Sequence, residues 1–343
     1  MKLLVLPPHF RTAATLLGPP VAVLAGGFAL VLAISSDPIL AYQDLLFANF
    51  YSAGSFALFI NRMTPLLFLG LSVILSFRAG MFNVGGEGQL YLGAMAATIA
   101  GLASAGAPRP LGLLLAAGAG AATGAVYALA PALLKVRLGV NEVVSTLMLN
   151  FIALLLTQDL VTHPLRDPVA YGAVSWMLPA SVWLPEIPGL LGATSAALIA
   201  LAVAPLAWML LFRTLWGADL RAAGSNPRFA EAVGIDASRR VLEAMALSGG
   251  IAGLAGALYV LGVGHRFEQN FSPGFGLIGL TVALLARLHP FGVVATAAFY
   301  ALVLNGAAYM QIDTDVPRSL VGLLTGFLVL FMTARGRGAP APS

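Results

Sequence analysis

A polar, glycine-rich segment lies between two long apolar runs of this chain. Residues 78–95 have the sequence RAGMFNVGGEGQLYLGAM, in which Asn83, Glu87 and Gln89 are interleaved with glycines. Between two membrane spans, polar and glycine-rich backbone is tolerated at membrane depth only where protein or a water-filled cavity surrounds it. The segment therefore predicts a fold that encloses residues 83–89 and lets their side chains line a path.

The composition requires a membrane fold. Of the 343 residues, 59% are hydrophobic and 9% are charged, whereas soluble domains carry about 25% charged residues. Uncharged runs of about twenty residues match the roughly 30 Å hydrocarbon core of a bilayer. The sequence lacks the alternating pattern of membrane β-strands, so we expect an all-α polytopic membrane protein.

Several function classes are excluded by the residue types present. The chain has no cysteine, which excludes disulfides, thiolate metal sites and thiol catalysis. It has no Walker glycine loop, no HExxH and no GxSxG motif, and its four histidines are scattered. The net charge of +4 needs no nucleic acid to explain it, because basic residues of membrane proteins collect on the cytoplasmic side. We therefore predict a chain that is not an enzyme and holds no metal.

Ten apolar segments are predicted to cross the membrane, with both termini in the cytoplasm. On this topology 13 of the 18 Lys and Arg residues face the cytoplasm, and that asymmetry fixes the orientation. The second and eighth segments are short, and their similar places in two blocks of opposite orientation indicate an inverted repeat. Residues 1–343 are treated as a single transmembrane domain. The segments are Thr12–Ser36, Met63–Phe77, Gly88–Ser104, Pro110–Leu134, Val143–Leu160, Leu190–Phe212, Leu242–Gly262, Leu277–Leu288, Pro290–Tyr309 and Leu320–Thr333.

Three GxxxG spacings lie within these segments. Small residues four apart let two helices approach closely in a membrane, so the spacings are interpreted as helix packing rather than as a site. They are Gly120/Gly124, Gly249/Gly253 and Gly322/Gly326.

Two interpretations apply to the segment from Asn83 to Gln89. In the first, Asn83, Glu87 and Gln89 face a polar translocation path, and the glycines let the backbone turn and approach a solute. In the second, the segment is a cytoplasmic loop in which Glu87 pairs with Arg78. A charge at membrane depth is costly, roughly 2.5 to 3.5 kcal/mol on insertion scales, so Glu87 must be paired or hydrated. We favour the path.

The sequence NEVVSTLMLN, residues 141–150, begins the fifth span. Asn141 is expected to cap this helix, and Glu142 lies in the first turn, where the helix dipole favours a negative charge. Ser145, Thr146 and Asn150 are polar groups on an otherwise apolar helix. They either line the path or hydrogen-bond a neighbouring helix, and Asn305 in the ninth span has the same two interpretations.

The largest hydrophilic stretch is the predicted cytoplasmic loop, residues 213–241. Its sequence predicts a helix, a break at Gly224 to Pro227, and a second helix from Pro227 to Val233. Two short helices with small residues at the turn suit a groove on a partner protein. The alternative is a solvated loop whose arginines only follow the positive-inside rule. Exposed apolar residues such as Phe229 favour docking.

The three motifs together resemble permease subunits of ABC importers. FNVGGEGQ, NEVVSTLMLN and AAGSNPRFAEAVGI occur here in the order and spacing of the nucleoside and simple-sugar branch, which is related to the ribose and branched-chain amino acid permeases. The resemblance covers about Pro65 to Met332. It implies the ten-helix fold of type II importers, a place in the bacterial cytoplasmic membrane and a nucleoside as the solute.

The resemblance also implies partners. Members of this branch pair with a second permease, identical or paralogous, with a separate ATPase that binds ATP and Mg²⁺, and with a periplasmic or lipoprotein solute-binding protein. This chain itself would need no cofactor. The loop between spans six and seven would couple to the ATPase. The residues that match the coupling loop are Arg221, Ala222, Ala223, Gly224, Asn226, Pro227, Ala230 and Gly234.

Three other functions remain open on the sequence alone. A simple-sugar permease would share the fold, although sugar permeases of the wider family carry a different glycine-rich signature. An ion-coupled secondary transporter would need further ionisable groups near midplane, and carboxylates within the spans are scarce apart from Glu87. A membrane scaffold without transport activity would bind neither an ATPase nor a solute-binding protein.

Overall fold

The computed structural model describes residues 25–28, 31–32, 35–190, 192–316, 322 and 326. This part of the chain is helical, with isolated β-bridges in its loops. The predicted first and tenth spans lie largely outside the described residues. The helices are α1 Pro38–Phe47, α2 Ala53–Arg78, α3 Gly86–Ala103, α4 Arg109–Leu138, α5 Glu142–Thr162, α6 Ala196–Arg213, α7 Leu215–Ser225, α8 Pro227–Ala232, α9 Ala237–Tyr259, α10 Phe275–Leu285 and α11 Pro290–Asp313.

Within the described residues, six helices are long and apolar enough to cross a membrane. They are α2, α4, α5, α6, α9 with the π-helical turn that follows it (Val260–Gly264), and α11. The chain is therefore an all-helical protein suited to several membrane crossings. Its residues form two compact units, 56–301 and a second made of 1–55 and 302–343.

The core of the 56–301 unit is the packing of α3, α4 and α9 against one another. A Cβ atom added at Gly93 would collide with the backbone of Gly253, and one at Gly124 would collide with the carbonyl oxygen of Gly249. Backbones this close are possible only where side chains are absent, which is the packing expected for GxxxG spacings in membranes. The spacings at Gly120/Gly124 and Gly249/Gly253 thus face each other.

Helix α2 is longer than the sequence predicted. The predicted second span starts at Met63, but the helix begins at Ala53 and contains Asn61. Asn61 donates to the carbonyl oxygen of Gly192 (2.7 Å) and accepts from the backbone N–H of Thr194 (3.1 Å). Because the amide finds both partners inside the protein, a polar residue at this position does not end the helix.

Helix α10 is short, as the sequence predicted. It has 11 residues, about 16 Å at 1.5 Å per residue, which is well below the hydrocarbon thickness of about 30 Å. The chain reverses after it through Arg287 and Leu288, whose φ angles of 52° and 55° are left-handed. The α11 helix then begins at Pro290, where a proline suits the first helical turn.

The unit made of residues 1–55 and 302–343 is held by polar contacts between its two segments. Asn49 donates to the carbonyl oxygen of Leu302 (3.0 Å) and accepts from the side chain of Asn305 (2.8 Å). The Tyr309 hydroxyl donates to the hydroxyl of Ser55 (2.9 Å). Buried amides paired in this way fix the position of a helix in an apolar surrounding.

Candidate functional site

The polar segment before α3 is folded around the side chain of Asn83. Its carbonyl oxygen accepts from the backbone N–H of Gly85 (2.9 Å), which closes the turn that leads into the helix. Its amide and that of Gln89 pair with each other, with nitrogen–oxygen distances of 3.2 Å in both directions. Both side chains are 1% exposed. Two predicted path residues therefore form one buried pair.

Two serines from other helices extend this pair into a network. Asn83 donates to the hydroxyl of Ser248 on α9 (3.2 Å), and that hydroxyl lies 2.9 Å from the hydroxyl of Ser72 on α2. Ser72 also donates to the carbonyl oxygen of Ser248 (2.8 Å). The polar segment is thereby tied to α2 and α9 without an exposed charge, as an apolar interior requires.

Glu87, in the first turn of α3, contacts the start of α10. Its carboxylate accepts from the backbone N–H of Gly276. A Cβ atom at Gly276 would collide with the backbone of Glu87, so the two chain segments touch directly. The N-terminus of a helix favours a negative charge through its free N–H groups and its dipole. Glu87 therefore lies at the N-termini of both α3 and α10.

Arg78 has a different partner from the one that the loop interpretation required. It donates to the carbonyl oxygen of Leu288 (2.9 Å), and its guanidinium lies 5.5 Å from the ring centroid of Phe212. Among the described residues, Glu87 and Arg78 form no ion pair. The carboxylate is instead stabilised by helix N-termini.

Asn150 joins α5 to the polar segment. Its carbonyl oxygen accepts from the backbone N–H of Gly88 (2.8 Å), and its amide donates to the carbonyl oxygen of Val84 (2.9 Å). The Thr146 hydroxyl accepts from the N–H of Val84 (3.3 Å). The structure thus brings Asn150 together with Asn83, Glu87 and Gln89 around the start of α3. Asn150 and Thr146 bind this segment through its backbone groups.

Two other polar residues predicted near the path make their hydrogen bonds outside this network. Ser145 donates within its own helix, to the carbonyl oxygen of Glu142 (3.1 Å). Asn305 belongs to the other unit, where it pairs with Asn49. The capping of α5 is confirmed, since Asn141 accepts from two backbone N–H groups of the first turn. Glu142 forms an ion pair with Lys135 (2.6 Å) at the end of α4.

The hydrophilic loop folds as two short helices, as predicted. Asn226 ends α7 and caps α8 by accepting from the N–H of Phe229 (3.1 Å), and Pro227 is the first residue of α8. Gly234 has a φ of +87°, a left-handed conformation that favours glycine. Ala223, Ala230 and Ala237 form a small buried cluster, whereas Phe229 and Val233 are 58% and 57% exposed.

Helix α7 contacts the turn at residues 78–80, which links the end of α2 to the path residues 83–89. A Cβ atom at Gly224 would collide with the carbonyl oxygen of Arg78, and the backbone of Gly224 lies against Gly80, whose φ is +74°. Arg221 lies over the same Phe212 ring as Arg78, 5.0 Å from its centroid. The predicted coupling loop therefore touches the turn that immediately precedes the predicted path residues 83–89.

Sequence reasoning missed several partners of the site. Ser72 and Ser248 lie far apart in the sequence, and a single serine in an apolar helix gives no sign of its partner. Gly276 follows the sequence SPGF, whose proline and glycine signal a turn before a helix. The predicted topology places this turn outside, between the seventh and eighth spans, but the sequence does not predict its contact with Glu87.

Comparison with known proteins agrees with these observations. The family described as branched-chain amino acid transport system, permease component, matches residues 55–333. The guanosine ABC transporter permease protein NupP of Bacillus subtilis is 31% identical over 331 residues, covering 93% of this chain and 93% of the relative. The nucleoside ABC transporter permease protein NupB of Lactococcus lactis is 27% identical, covering 92% and 90%.

A relative with a different named solute is equally similar. The glucose ABC transporter permease protein TsgB13 of Haloferax volcanii is 32% identical over 326 residues, covering 91% of this chain and 84% of the relative. Overall identity therefore does not separate nucleoside from sugar relatives. No solved structure matches the chain.

Proposed function

The chain belongs to the family of branched-chain amino acid transport permease components, and from that premise we propose that it is the membrane-spanning permease subunit of an ATP-driven importer of nucleosides. The observation that carries the proposal is the buried polar segment at the start of α3, which joins three apolar helices and contacts the predicted coupling loop. Glu87 places a carboxylate where α3 and α10 meet, and an ionisable residue within a membrane protein is by default a candidate functional group.

We propose ten membrane spans with both termini in the cytoplasm of a bacterial cell. Six described helices suit a crossing by length and composition. The others would be α3, the short α10, and the segments near each end of the chain. The excess of basic residues on one side supports the orientation.

The solute path would pass the start of α3. Asn83, Glu87 and Gln89 would line it or position the helices that do, together with Ser145 and Asn150 on α5. The convergence of the N-termini of α3 and α10 on Glu87 supports this role, because broken helices whose ends meet near midplane recur in transporters.

Energy would come from a partner ATPase that docks on α7 and α8. The exposed apolar residues Phe229 and Val233 support docking, since large apolar groups on a hydrophilic loop suit a partner's groove. Arg221, Ala222, Gly224, Asn226, Pro227 and Gly234 would form this coupling loop. A second permease and a solute-binding protein would complete the importer.

A simple sugar is the second candidate solute, favoured by the Haloferax relative. Nucleosides are favoured by the two relatives from Bacillus and Lactococcus and by the FNVGGEGQ motif. Uptake of radiolabelled guanosine and glucose by cells that produce the complete importer distinguishes them. We expect saturable guanosine uptake that unlabelled glucose does not inhibit, and the reverse pattern would assign the sugar.

The same cells test the energy source. Depleting ATP should stop guanosine uptake, whereas collapsing the proton and sodium gradients at constant ATP should leave it. Uptake that survives ATP depletion but stops with the gradients would identify an ion-coupled transporter. A chain that binds neither ATPase nor solute-binding protein on purification would be a scaffold.

A further inference from the structure

Two arginines from different helices lie against one aromatic ring. Arg78 is the last residue of α2, and Arg221 lies on α7. Their guanidinium carbons lie 5.5 and 5.0 Å from the ring centroid of Phe212, near the end of α6. Because both lie against one ring, their positive charges repel each other. An anion bound to both guanidinium groups would remove this repulsion.

Each of these arginines has a buried nitrogen without an acceptor. Arg78 donates from Nη2 to the carbonyl oxygen of Leu288 (2.9 Å). Its Nε and the Nη1 of Arg221 are buried and have no hydrogen-bond partner among the described residues. A buried donor without an acceptor is costly, and more so when it belongs to a charged group. The two guanidinium groups therefore have donors left for a ligand.

No carboxylate side chain of this protein supplies the anion. All 14 Asp and Glu residues lie within the described ranges, and none of them forms an ion pair with Arg78 or Arg221. Asp219, two residues before Arg221, accepts from Arg240 (2.8 Å). Glu243 accepts from Arg240 and from the indole N–H of Trp216, each at 2.8 Å. The counter-ion must therefore come from another molecule.

The surroundings of the two arginines are typical of a membrane–water interface. Three helices suited to span the membrane end or begin here: α2 ends at Arg78, α6 ends at Arg213 and α11 begins at Pro290. The guanidinium of Arg213 lies 5.1 Å from the ring centroid of Trp208, and the Trp208 and Phe291 rings lie 5.8 Å apart. Tryptophan and arginine collect at the level of lipid headgroups. The anion at this level is a lipid phosphate.

The face of the loop that suits a partner protein is a different one. Phe229 and Val233 on α8 are the large exposed apolar residues of the loop. Arg221 is only partly exposed and lies over Phe212, a residue of a membrane helix. The backbone of Gly224 on the same helix α7 contacts Arg78. Arg221 is therefore directed towards the membrane helices, which favours a lipid over an acidic side chain of the ATPase.

We propose that Arg78 and Arg221 bind the phosphate of an anionic phospholipid from the cytoplasmic leaflet. Guanidinium groups bind phosphate oxygens through parallel N–H bonds, which gives the unpartnered donors their acceptors. Basic pockets between membrane helices on the cytoplasmic side suit anionic headgroups. The bound lipid joins α7 to the end of α2 and so attaches the predicted coupling loop to the membrane helices. The inference uses the proposed orientation but not the proposed solute.

Thermal unfolding of the full chain, purified in detergent, tests the binding. A ligand that binds the folded state raises Tm as its concentration rises. The probes are phosphatidylglycerol, phosphatidylcholine and soluble glycerol phosphate. We expect phosphatidylglycerol alone to raise Tm, with saturation. Equal shifts with phosphatidylcholine would contradict the recognition of negative charge, and an equal shift with glycerol phosphate would replace the lipid by a soluble phosphate.

Variants of Arg221 place the effect at this site. Arg221→Ala should raise the phosphatidylglycerol concentration for half the Tm shift at least about tenfold, the effect of losing a charge-assisted hydrogen bond. Arg221→Lys keeps the charge without the planar fork and should give a smaller increase. Arg137→Ala is the matched control, because Arg137 also ends a long apolar helix, α4, but lies over no aromatic ring among the described residues. It should leave the half-effect concentration unchanged.

Two further outcomes would overturn the inference. One is an unshifted half-effect concentration in Arg221→Ala or, if that variant does not fold, in Arg221→Lys. The other is a wild-type chain that phosphatidylglycerol does not stabilise, together with an affinity for the ATPase that falls tenfold in Arg221→Ala but not in Arg137→Ala. That result would assign the two arginines to an acidic side chain of the ATPase. Either outcome leaves the nucleoside function standing, because guanosine uptake tests it separately.

Discussion

Glu87 accepts the backbone N–H of Gly276 at the start of α10, and this contact determines what its substitution should do. Glu87→Ala removes both the charge and the acceptor for Gly276. We expect guanosine uptake to fall at least about tenfold, because a hydrogen bond to a charged group is worth about 1.5–3 kcal/mol. Glu87→Gln keeps an acceptor oxygen and should retain more uptake than Glu87→Ala. Both variants should still assemble with the partner subunits, which co-purification measures.

Glu186→Ala is the matched control for this prediction. The Glu186 carboxylate also accepts from a backbone N–H, that of Gly192 (3.1 Å). Unlike Glu87, it lies in the loop before α6, away from the start of α3. Its substitution should leave uptake near the wild-type level. Full uptake by Glu87→Ala would remove Glu87 from the path.

The Asn83–Gln89 pair leads to a prediction about stability. Gln89→Leu removes the hydrogen bonds between Gln89 and the buried Asn83 amide, which keeps only Gly85 and Ser248 as partners, and should lower the free energy of unfolding by about 0.5–1.5 kcal/mol. Denaturant unfolding of the purified chain in detergent measures this. Gln158→Leu makes the same change at an exposed amide and should be neutral, so equal losses in both variants would contradict the importance of the pair.

At the scale of helices, the contact between α7 and the turn after α2 connects the loop to the site. Gly224→Ala would drive a methyl group into the carbonyl oxygen of Arg78. We expect the assembled importer to lose solute-stimulated ATP hydrolysis, because α7 can no longer rest on this turn. Gly118→Ala is the control, since a Cβ there meets nothing within 4 Å. Normal stimulated hydrolysis with Gly224→Ala would exclude coupling through this contact.

Helix positions could be predicted from the sequence where the signals were local. The α5 cap by Asn141, the break between α7 and α8, and the short α10 all depend on residues close in the chain. The start of α2 could not, because Asn61 is satisfied by a loop more than a hundred residues away.

At the scale of the whole molecule, the candidate site was predictable in part. The polar segment stood out against an apolar composition, and its position between helices follows from the cost of burying polar backbone. Its partners Ser72, Ser248 and Gly276 could not be predicted, because they depend on how helices are rotated against each other. That rotation is fixed by contacts such as Gly93 with Gly253.

The membrane topology is tested by single cysteines in this cysteine-free chain. Val169 lies in the loop between α5 and α6 and is 90% exposed, and Phe229 on α8 is 58% exposed. If the basic loop faces the cytoplasm, an impermeant maleimide should label Val169→Cys in intact spheroplasts. It should label Phe229→Cys only in inverted membrane vesicles. The opposite pattern would reverse the orientation and place α7 and α8 beyond the reach of a cytoplasmic ATPase, so the coupling proposal would fail with it.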